Sequence, residues 1–500
     1  MPQQNQLQPN VDPFALAGEL SGKLLIDGAM VPARSGRTFA NVNPATGAVI
    51  GQAAEGDAAD VDAAVKAARR AQKAWAKLPA RERGKLISEC GRLLNGHIEE
   101  LARLVALETG KALRTESRIE ASVLADVFIF FGGLGSELKG ETVPFRPDML
   151  TMTVREPLGV VGAIIPWNVP MLLMALKIAP ALVAGNAVVV KSAEESPFAV
   201  LRACQIMNQI LPPGVLNILS GMGPECGGPL VTHKDVRKVT FTGSVETGRI
   251  IYRAAADKLI PVTLELGGKS PMIVMDDADL GKAVDGAITG MRFTRQGQSC
   301  TAASRIFVQE GIHDTFVERL RARVDAMKMG DPLDETTDIG TIVSPQQYDK
   351  VKGYIDIGEA TPGMKAITCS QLPSDQKLSK GLFVQPVIFT GATNDSRLAR
   401  EEIFGPVTCV IKFKDYDDAI EQANDSEFGL AATIWTTNLK TALDGAHRLE
   451  AGIVQVNQNL VVTSNLNYGG VKSSGLGKEA TLEAMLEHFT HKKTIILNMQ

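Results

Sequence analysis

Gly159-Val160-Val161-Gly162-Ala163-Ile164-Ile165-Pro166-Trp167-Asn168 is the stretch whose reading decides the fold. A near-continuous aliphatic run, closed by proline and then by polar residues, reads as a strand buried on both faces. Four similar runs follow at 187–191, 215–220, 236–242 and 261–266, with helical patterns at 171–183, 198–210 and 246–256 between them. Short buried strands alternating with helices predict an α/β fold with a mostly parallel, doubly wound sheet, because parallel neighbours need a crossover. Ligands gather beyond the carboxyl ends of such strands. Polar residues punctuate those ends here: Trp167-Asn168, Lys191 to Glu194, Gly221, Gly243-Ser244 and Glu265.

The totals set the frame around this sheet. Five hundred residues exceed what one hydrophobic core supports, so two or three domains are expected. An apolar fraction of 45% with 22% charged residues fits a soluble globular protein. A net charge of −4 gives no electrostatic footprint for nucleic acid or an anionic membrane. No uninterrupted apolar run has the length of a membrane span. Residues 1–12, rich in Gln, Asn and Pro, lack the basic and apolar regions of a signal peptide and read as a disordered leader on a cytoplasmic chain. Six scattered cysteines fit a reducing compartment, and His488 and His491 lack the company a metal site needs.

Before the sheet, helical patterns at 58–75, 81–94, 98–110 and 117–131 read as scaffold. Residues 141–156 alternate β-formers with proline, as a hairpin or edge strand does, and read equally as a surface turn or an oligomer contact. From 271 the alternation restarts, with strands at 272–275, 304–308, 383–389, 407–413 and 452–456 and helices at 415–424 and 439–449. This is a second α/β domain.

Chemistry concentrates where the two domains join. Glu265-Leu266-Gly267-Gly268-Lys269-Ser270-Pro271 puts a carboxylate at the end of an apolar run, and Gly297-Gln298-Ser299-Cys300-Thr301 puts a thiol after a flexible turn. A thiol attacks well at neutral pH when a base or a lowered pKa makes it a thiolate, and a carboxylate serves as that base directly or through one water. Phe241-Thr242-Gly243-Ser244 is a strand, a glycine turn and a helix start, which suits a pyrophosphate and equally a plain βα turn. Lys191 and Glu194 suit ribose hydroxyls or a solvated polar loop, and the acid would repel a 2′-phosphate. Asn168 is a neutral donor suited to an oxyanion, or a turn residue. Glu402 and Phe404 suit a ribose and a flat ring, or are a loop acid and a core aromatic. Asn467-Tyr468-Gly469-Gly470 opens a glycine-dense segment reaching Glu479 that reads as a loop lining a site.

In this order and spacing, from about 22 to 493, the motifs resemble the NAD(P)-dependent aldehyde dehydrogenase superfamily. The resemblance implies a Rossmann-like cofactor domain (20–140 and 159–268), a catalytic domain (269–478) and a small β oligomerisation arm (141–158 and 485–500), with 1–19 a mostly disordered leader. It implies that Cys300 is the nucleophile, Glu265 the general base and Asn168 the oxyanion donor, with Lys177 and Glu479 handling protons. Trp167, Lys191, Glu194, Gly243, Ser244, Glu402 and Phe404 match cofactor positions, for NAD with NADP possible. Val169, Leu176, Thr294, Thr301, Val462 and Tyr468 match the acyl tunnel. A homodimer or homotetramer is implied.

Those tunnel residues are mid-sized and mostly apolar, which favours an uncharged aliphatic or aryl aldehyde over betaine aldehyde, whose cation wants an aromatic cage. Arg295 reads as a helix-surface arginine paired with an acid; turned into the tunnel, it would favour an ω-carboxylate semialdehyde instead. Three competing readings remain. A CoA-acylating relative is opposed by Glu265, a cofactor-free thiol hydrolase by the cofactor motifs, and a non-catalytic protein of the same fold by intact Cys300, Glu265 and Asn168.

Overall fold

The computed structural model describes residues 12–459 and 463–500. Two parallel-rich sheets organise the chain. In the first, the strands run in the order Ala29–Pro32, Lys23–Ile26, Leu216–Leu219, Ala187–Lys191, Val160–Ile164, Val236–Thr242, Val262–Glu265 and Gly475–Leu476. Its five central strands are parallel. In chain order they lie 3-2-1-4-5, so the sequence of crossovers reverses between Val160–Ile164 and Val236–Thr242. A crevice therefore opens beyond those two carboxyl ends, where Trp167-Asn168 and Gly243-Ser244 stand.

Both faces of this sheet are covered, which is why its strands carry no polar alternation. Val161, Ala163, Val188 and Val190 pack with the helices Ala80–Asn95, Ile98–Thr109, Arg118–Gly133, Pro170–Val183 and Pro197–Met207. Val160, Val189 and Val239 face the other way, toward Val61, Ala64 and Val65 of Ala58–Trp75 and Ile251 of Val245–Ala256. Glu108 ends inside this core, its carboxylate accepting the N–H groups of Phe198 and Ala199 at the start of Pro197–Met207, where the helix dipole favours an anion. The helical stretch Leu113–Glu137 is long and apolar enough to cross a membrane. Here it packs against Ala80–Asn95 and Pro170–Val183 and carries the buried acids Glu116 and Glu120.

The second sheet has the order Lys365–Thr368, Val387–Thr390, Val407–Phe413, Arg305–Gln309, Pro271–Val274, Ala431–Trp435 and Ile453–Val456, parallel except for the first pair. Its strand Pro271–Val274 begins six residues after the first sheet's Glu265, so the segment 266–270 joins the two sheets. A two-stranded ribbon, Met149–Pro157 with Thr490–Asn498, stands apart from both. It exposes Leu150, Ile496 and Leu497, and Val143 and Phe145 are exposed in the segment that leads into it.

Several expected boundaries move. The leader expected over 1–19 is cut short by a helix, Pro13–Leu20, which Asp12 caps and which buries Leu16, Ala17 and Leu20. Apolar spacing at 13, 16, 17 and 20 was enough to dock it. Gly475–Leu476, expected inside the second domain, instead pairs with Leu264 and Glu265 at the edge of the first sheet. Residues 485–488 belong to a helix, Leu482–His488, rather than to the arm's strand.

Gly297 shows how tightly the turn before Cys300 is built. Its φ is +62°, and a Cβ there would overlap the backbone carbonyl of Gly405, which cannot move aside as a side-chain tip can. Gly297→Ala should therefore lower stability by ~2–4 kcal/mol in denaturant unfolding; a loss under ~0.5 kcal/mol would mean that the turn relaxes.

Candidate active site

The thiol turn is held under backbone strain. The helix Leu280–Met291 ends in Arg292 at φ 57°, a single 3₁₀ turn follows, and Gln296 is again left-handed at φ 57°. Two non-glycine residues in that region within five positions need outside support. Amide side chains supply it. Gln296 Nε2 donates to the Gly340 carbonyl at 2.8 Å, and Gln298 Oε1 accepts from the Val343 N–H at 3.0 Å. Asn168, four residues past the Val160–Ile164 strand, donates from Nδ2 to the Gln298 carbonyl at 3.2 Å, so one of its two N–H bonds remains for another acceptor.

Cys300 is half-buried, whereas the other five cysteines are buried and none is in a disulfide. Its Sγ lies 3.1 Å from the Tyr468 hydroxyl. Its thiol is pushed up to about 11, by burial first and with help from the Glu402 and Glu265 carboxylates, while the Tyr468 hydrogen bond and Arg295 pull against this.

Two cavities meet at Cys300 and Asn168. One, about 240 Å³, is walled by Val169, Leu172, Leu173, Leu176, Ile119 and Val123, with Thr301 and Tyr468 beside the thiol. The other, about 200 Å³, lies at the switch point of the first sheet and is lined by Trp167, Gly243, Ser244, Glu402 and Phe404. Phe404 is held at φ 59° with its ring edge-on to Trp167, centroids 5.3 Å apart. This strained backbone aims an aromatic at the cavity instead of burying it in the core. Ser244 also caps Val245–Ala256 by accepting the Thr247 N–H.

Of the expected tunnel and surface placements, two change. Thr294 turns its hydroxyl to Glu116 and leaves the cavity wall. Val462 lies outside the described residues. Arg295 is not on a helix surface: it lines the apolar cavity with Arg292, its Nε 2.9 Å from Glu116 Oε2 and its Nη2 on the same oxygen. The pairing with an acid was legible; the burial was not, because the 3₁₀ turn rotates residue 295 away from the helical phase.

Glu265 closes the last parallel strand of the first sheet. Both carboxylate oxygens are buried without a hydrogen-bond partner. Burial raises its pKa well above the usual carboxylate value, the Glu479 carboxylate adds to this, and Lys177 and Lys478 oppose it. It lines neither cavity and makes no hydrogen bond to Cys300 among the described residues. Gly469 (φ +143°) lies against its Oε1, where a Cβ would collide. Lys177 and Glu479 meet behind it: Lys177 Nζ donates to Glu479 Oε1 at 2.6 Å, and the Thr240 hydroxyl donates to the same oxygen at 3.2 Å.

Lys191 and Glu194 pair at 2.7 Å, outside the Trp167 cavity. Glu194 borders another groove, which also takes in Phe39 to Pro44. Four residues escaped the sequence reading as individuals. Gln347 and Lys350 line the Trp167 cavity from the helix Pro345–Ala360, and Lys478 ties the Tyr468 loop by donating to the carbonyls of Gly469 and Gly470. Gly469 supplies the bare backbone beside Glu265. The glycine density of 467–479 marked the loop, but nothing local marked Gln347 or Lys350.

The site thus sets a cysteine at the meeting point of an apolar cavity and a switch-point crevice between two parallel-rich sheets, with an unpartnered buried carboxylate nearby. The aldehyde dehydrogenase family profile matches residues 30–495. Benzaldehyde dehydrogenase of Antirrhinum majus is 40% identical over 478 residues, 95% of this chain and 88% of that protein. Hydroxyisobutyraldehyde dehydrogenase of Mycolicibacterium austroafricanum is 40% identical over 480 residues, 95% and 94% of the two chains. The NAD⁺ complex of aldehyde dehydrogenase from Bacillus cereus superposes with a TM-score of 0.94 at 38% identity, covering 98% of this chain and 99% of that one. The chain belongs to the aldehyde dehydrogenase family, and it is an enzyme that oxidises an aldehyde.

Limited treatment with iodoacetamide, followed by peptide mass spectrometry, should label Cys300 ahead of the five buried cysteines. The rate should keep climbing with pH toward about 11 rather than level near that of a free thiol. Equal labelling of another cysteine would contradict the burial described.

Proposed function

We propose that the chain oxidises an aldehyde with an aliphatic or aryl body to its carboxylate, using NAD. The observation that carries this is the sharing of Cys300 and Asn168 between the two cavities. It leaves one cavity for the aldehyde's body and the other for the nicotinamide. The residues fit the cofactor. Trp167 and Phe404 offer flat surfaces, and Glu402 and Glu194 offer carboxylates for diols, with Lys350 and Lys191 near them. NAD is preferred over NADP because Glu194 would oppose a 2′-phosphate. When bound, NAD supplies the hydride acceptor.

The chain's own residues do the rest. Cys300 Sγ attacks the carbonyl carbon and forms a thiohemiacetal. The Asn168 amide and the Cys300 N–H hold the oxyanion, donors typically worth ~3 kcal/mol each. Loss of hydride leaves a thioester on Cys300. Glu265 then takes a proton from water, the hydroxide adds to the thioester, and the carbon–sulfur bond breaks with its electron pair returning to sulfur. An unpartnered carboxylate with a raised pKa suits a base that must bind and release a proton. Lys177 and Glu479 pass that proton on.

A second reading, an ω-carboxylate semialdehyde, is favoured by Arg292 and Arg295 in the cavity wall. Against it, the Arg295 fork is engaged by Glu116. Two of the domains in this proposal correspond to the two sheets. The exposed apolar residues of the Met149–Pro157 and Thr490–Asn498 ribbon support a homodimer or homotetramer, and six free cysteines support the cytoplasm.

NADH formation across matched aldehydes tests the substrate class. Hexanal and benzaldehyde should exceed their carboxylated counterparts by at least ~10-fold in kcat/KM; the reverse order would select the semialdehyde reading. Cys300→Ala should abolish NADH formation. Glu265→Gln should keep a first burst and slow steady turnover by ~10²–10⁴; normal turnover would remove Glu265 as the base. In the unaltered enzyme, thioester hydrolysis should fall as pH drops through the raised Glu265 pKa, because protonation removes the base.

A further inference from the structure

The segment 467–470 is more than a wall of the apolar cavity. It does two things at once. The backbone of Tyr468 is clamped, its N–H donating to the Glu479 carbonyl at 3.1 Å and its carbonyl accepting the Glu479 N–H at 2.8 Å. Lys478 Nζ holds the next two carbonyls, and the Lys478 N–H is in turn fixed by His488 Nε2 at 3.2 Å. On this fixed backbone the buried Tyr468 ring sets its hydroxyl 3.1 Å from Cys300 Sγ. The residue after it, Gly469, lets the same strand of chain pass against Glu265 Oε1. One dipeptide thus sets the surroundings of the nucleophile and of the base.

The structure assigns Tyr468 as a catalytic residue whose phenolic O–H donates to the Cys300 thiolate, before attack and again when the thioester breaks. The assignment rests on Cys300 being the nucleophile. Sulfur needs such a donor because two carboxylates, Glu265 and Glu402, oppose its negative charge, and Arg295 is the cation that favours it. Among the described residues Tyr468 makes the only side-chain hydrogen bond to Sγ. The phenol stays protonated: burial and the negative groups around it, Cys300, Glu265 and Glu479, raise its pKa well above that of a free tyrosine. Once Cys300 has ionised, the hydroxyl is the donor of the pair, since a thiolate has no hydrogen to give. When sulfur is bonded to the acyl carbon its charge is gone and the hydrogen bond weakens; when the carbon–sulfur bond breaks, the electron pair returns to a sulfur already facing an O–H. The hydroxyl therefore favours the charged states at both ends of the cycle, and no proton leaves Tyr468.

Tyr468→Phe removes one oxygen and keeps the ring. The first measurement is the pH dependence of Cys300 alkylation by iodoacetamide, without cofactor or substrate. Loss of the donor should slow alkylation ~10-fold at neutral pH and move its rise to higher pH. The second is single-turnover hydrolysis of the Cys300 thioester, which should slow ~10-fold while KM for the aldehyde stays within ~2-fold. An alkylation profile identical to that of the unaltered protein overturns the assignment, as does a raised KM with unchanged hydrolysis, the mark of a mere wall residue. Alkylation reads the Tyr468–Cys300 pair whatever the enzyme's substrate. If blocking Cys300 in the unaltered enzyme leaves NADH formation intact, it is the nucleophile reading that fails, separately from the contact.

Discussion

The structure depends on keeping a carboxylate buried and unsatisfied at the junction of two sheets. Glu265 sits at the carboxyl end of a central β-run with neither oxygen hydrogen-bonded. Burying a polar group without a partner costs on the order of 1–3 kcal/mol, and more for a charged one. The surrounding chain offsets this by distance rather than by contact. Lys177 and Lys478 pull on the carboxylate electrostatically while spending their own hydrogen bonds on Glu479 and on the Gly469 and Gly470 carbonyls. A direct salt bridge would have drawn the Glu265 pKa back down toward that of an ordinary carboxylate.

The same trade recurs in the backbone. Arg292, Gln296 and Phe404 hold left-handed conformations that non-glycine residues seldom adopt, and all three lie at the two cavities or in the turn between them. Gln296 and Gln298 show how the strain is met, since their side-chain amides bind backbone groups of the segment 340–343, itself docked by the Thr341 N–H to Gly110. The loop carrying Cys300 is thus fixed to the segment 340–343 and, through it, to Gly110 at the end of the helix Ile98–Thr109.

How much of this was legible depends on whether the signal is local. The five-strand parallel core could be read because buried strands are apolar at every position, and the run 159–165 has no other comfortable environment. Pro13–Leu20 was obscured by the polar residues before it, although its own apolar spacing is helical. Gly475–Leu476 could not be read as a strand because two residues carry no periodicity, and their place in the 269–478 segment hid it; their strand exists only through pairing with Leu264 and Glu265. Trp167, Gly243, Ser244, Glu402 and Phe404 could be nominated together only because their motifs follow a family order.

The sequence by itself determined the alternation of buried strands and helices, the positions of Cys300, Glu265 and Asn168 at strand ends and turns, and the family to which these belong. Those are properties of neighbouring residues, and chain periodicity carries them. Only the tertiary structure decided that Arg295 faces the cavity, that Thr294 does not, that Gln347 and Lys350 line the Trp167 cavity, and that Tyr468 touches Cys300. Each of these is a meeting of residues dozens to more than a hundred positions apart, or a rotation set by a left-handed backbone angle. No local pattern encodes either, because the free energy that selects them comes from packing the two domains and the C-terminal loop against one another.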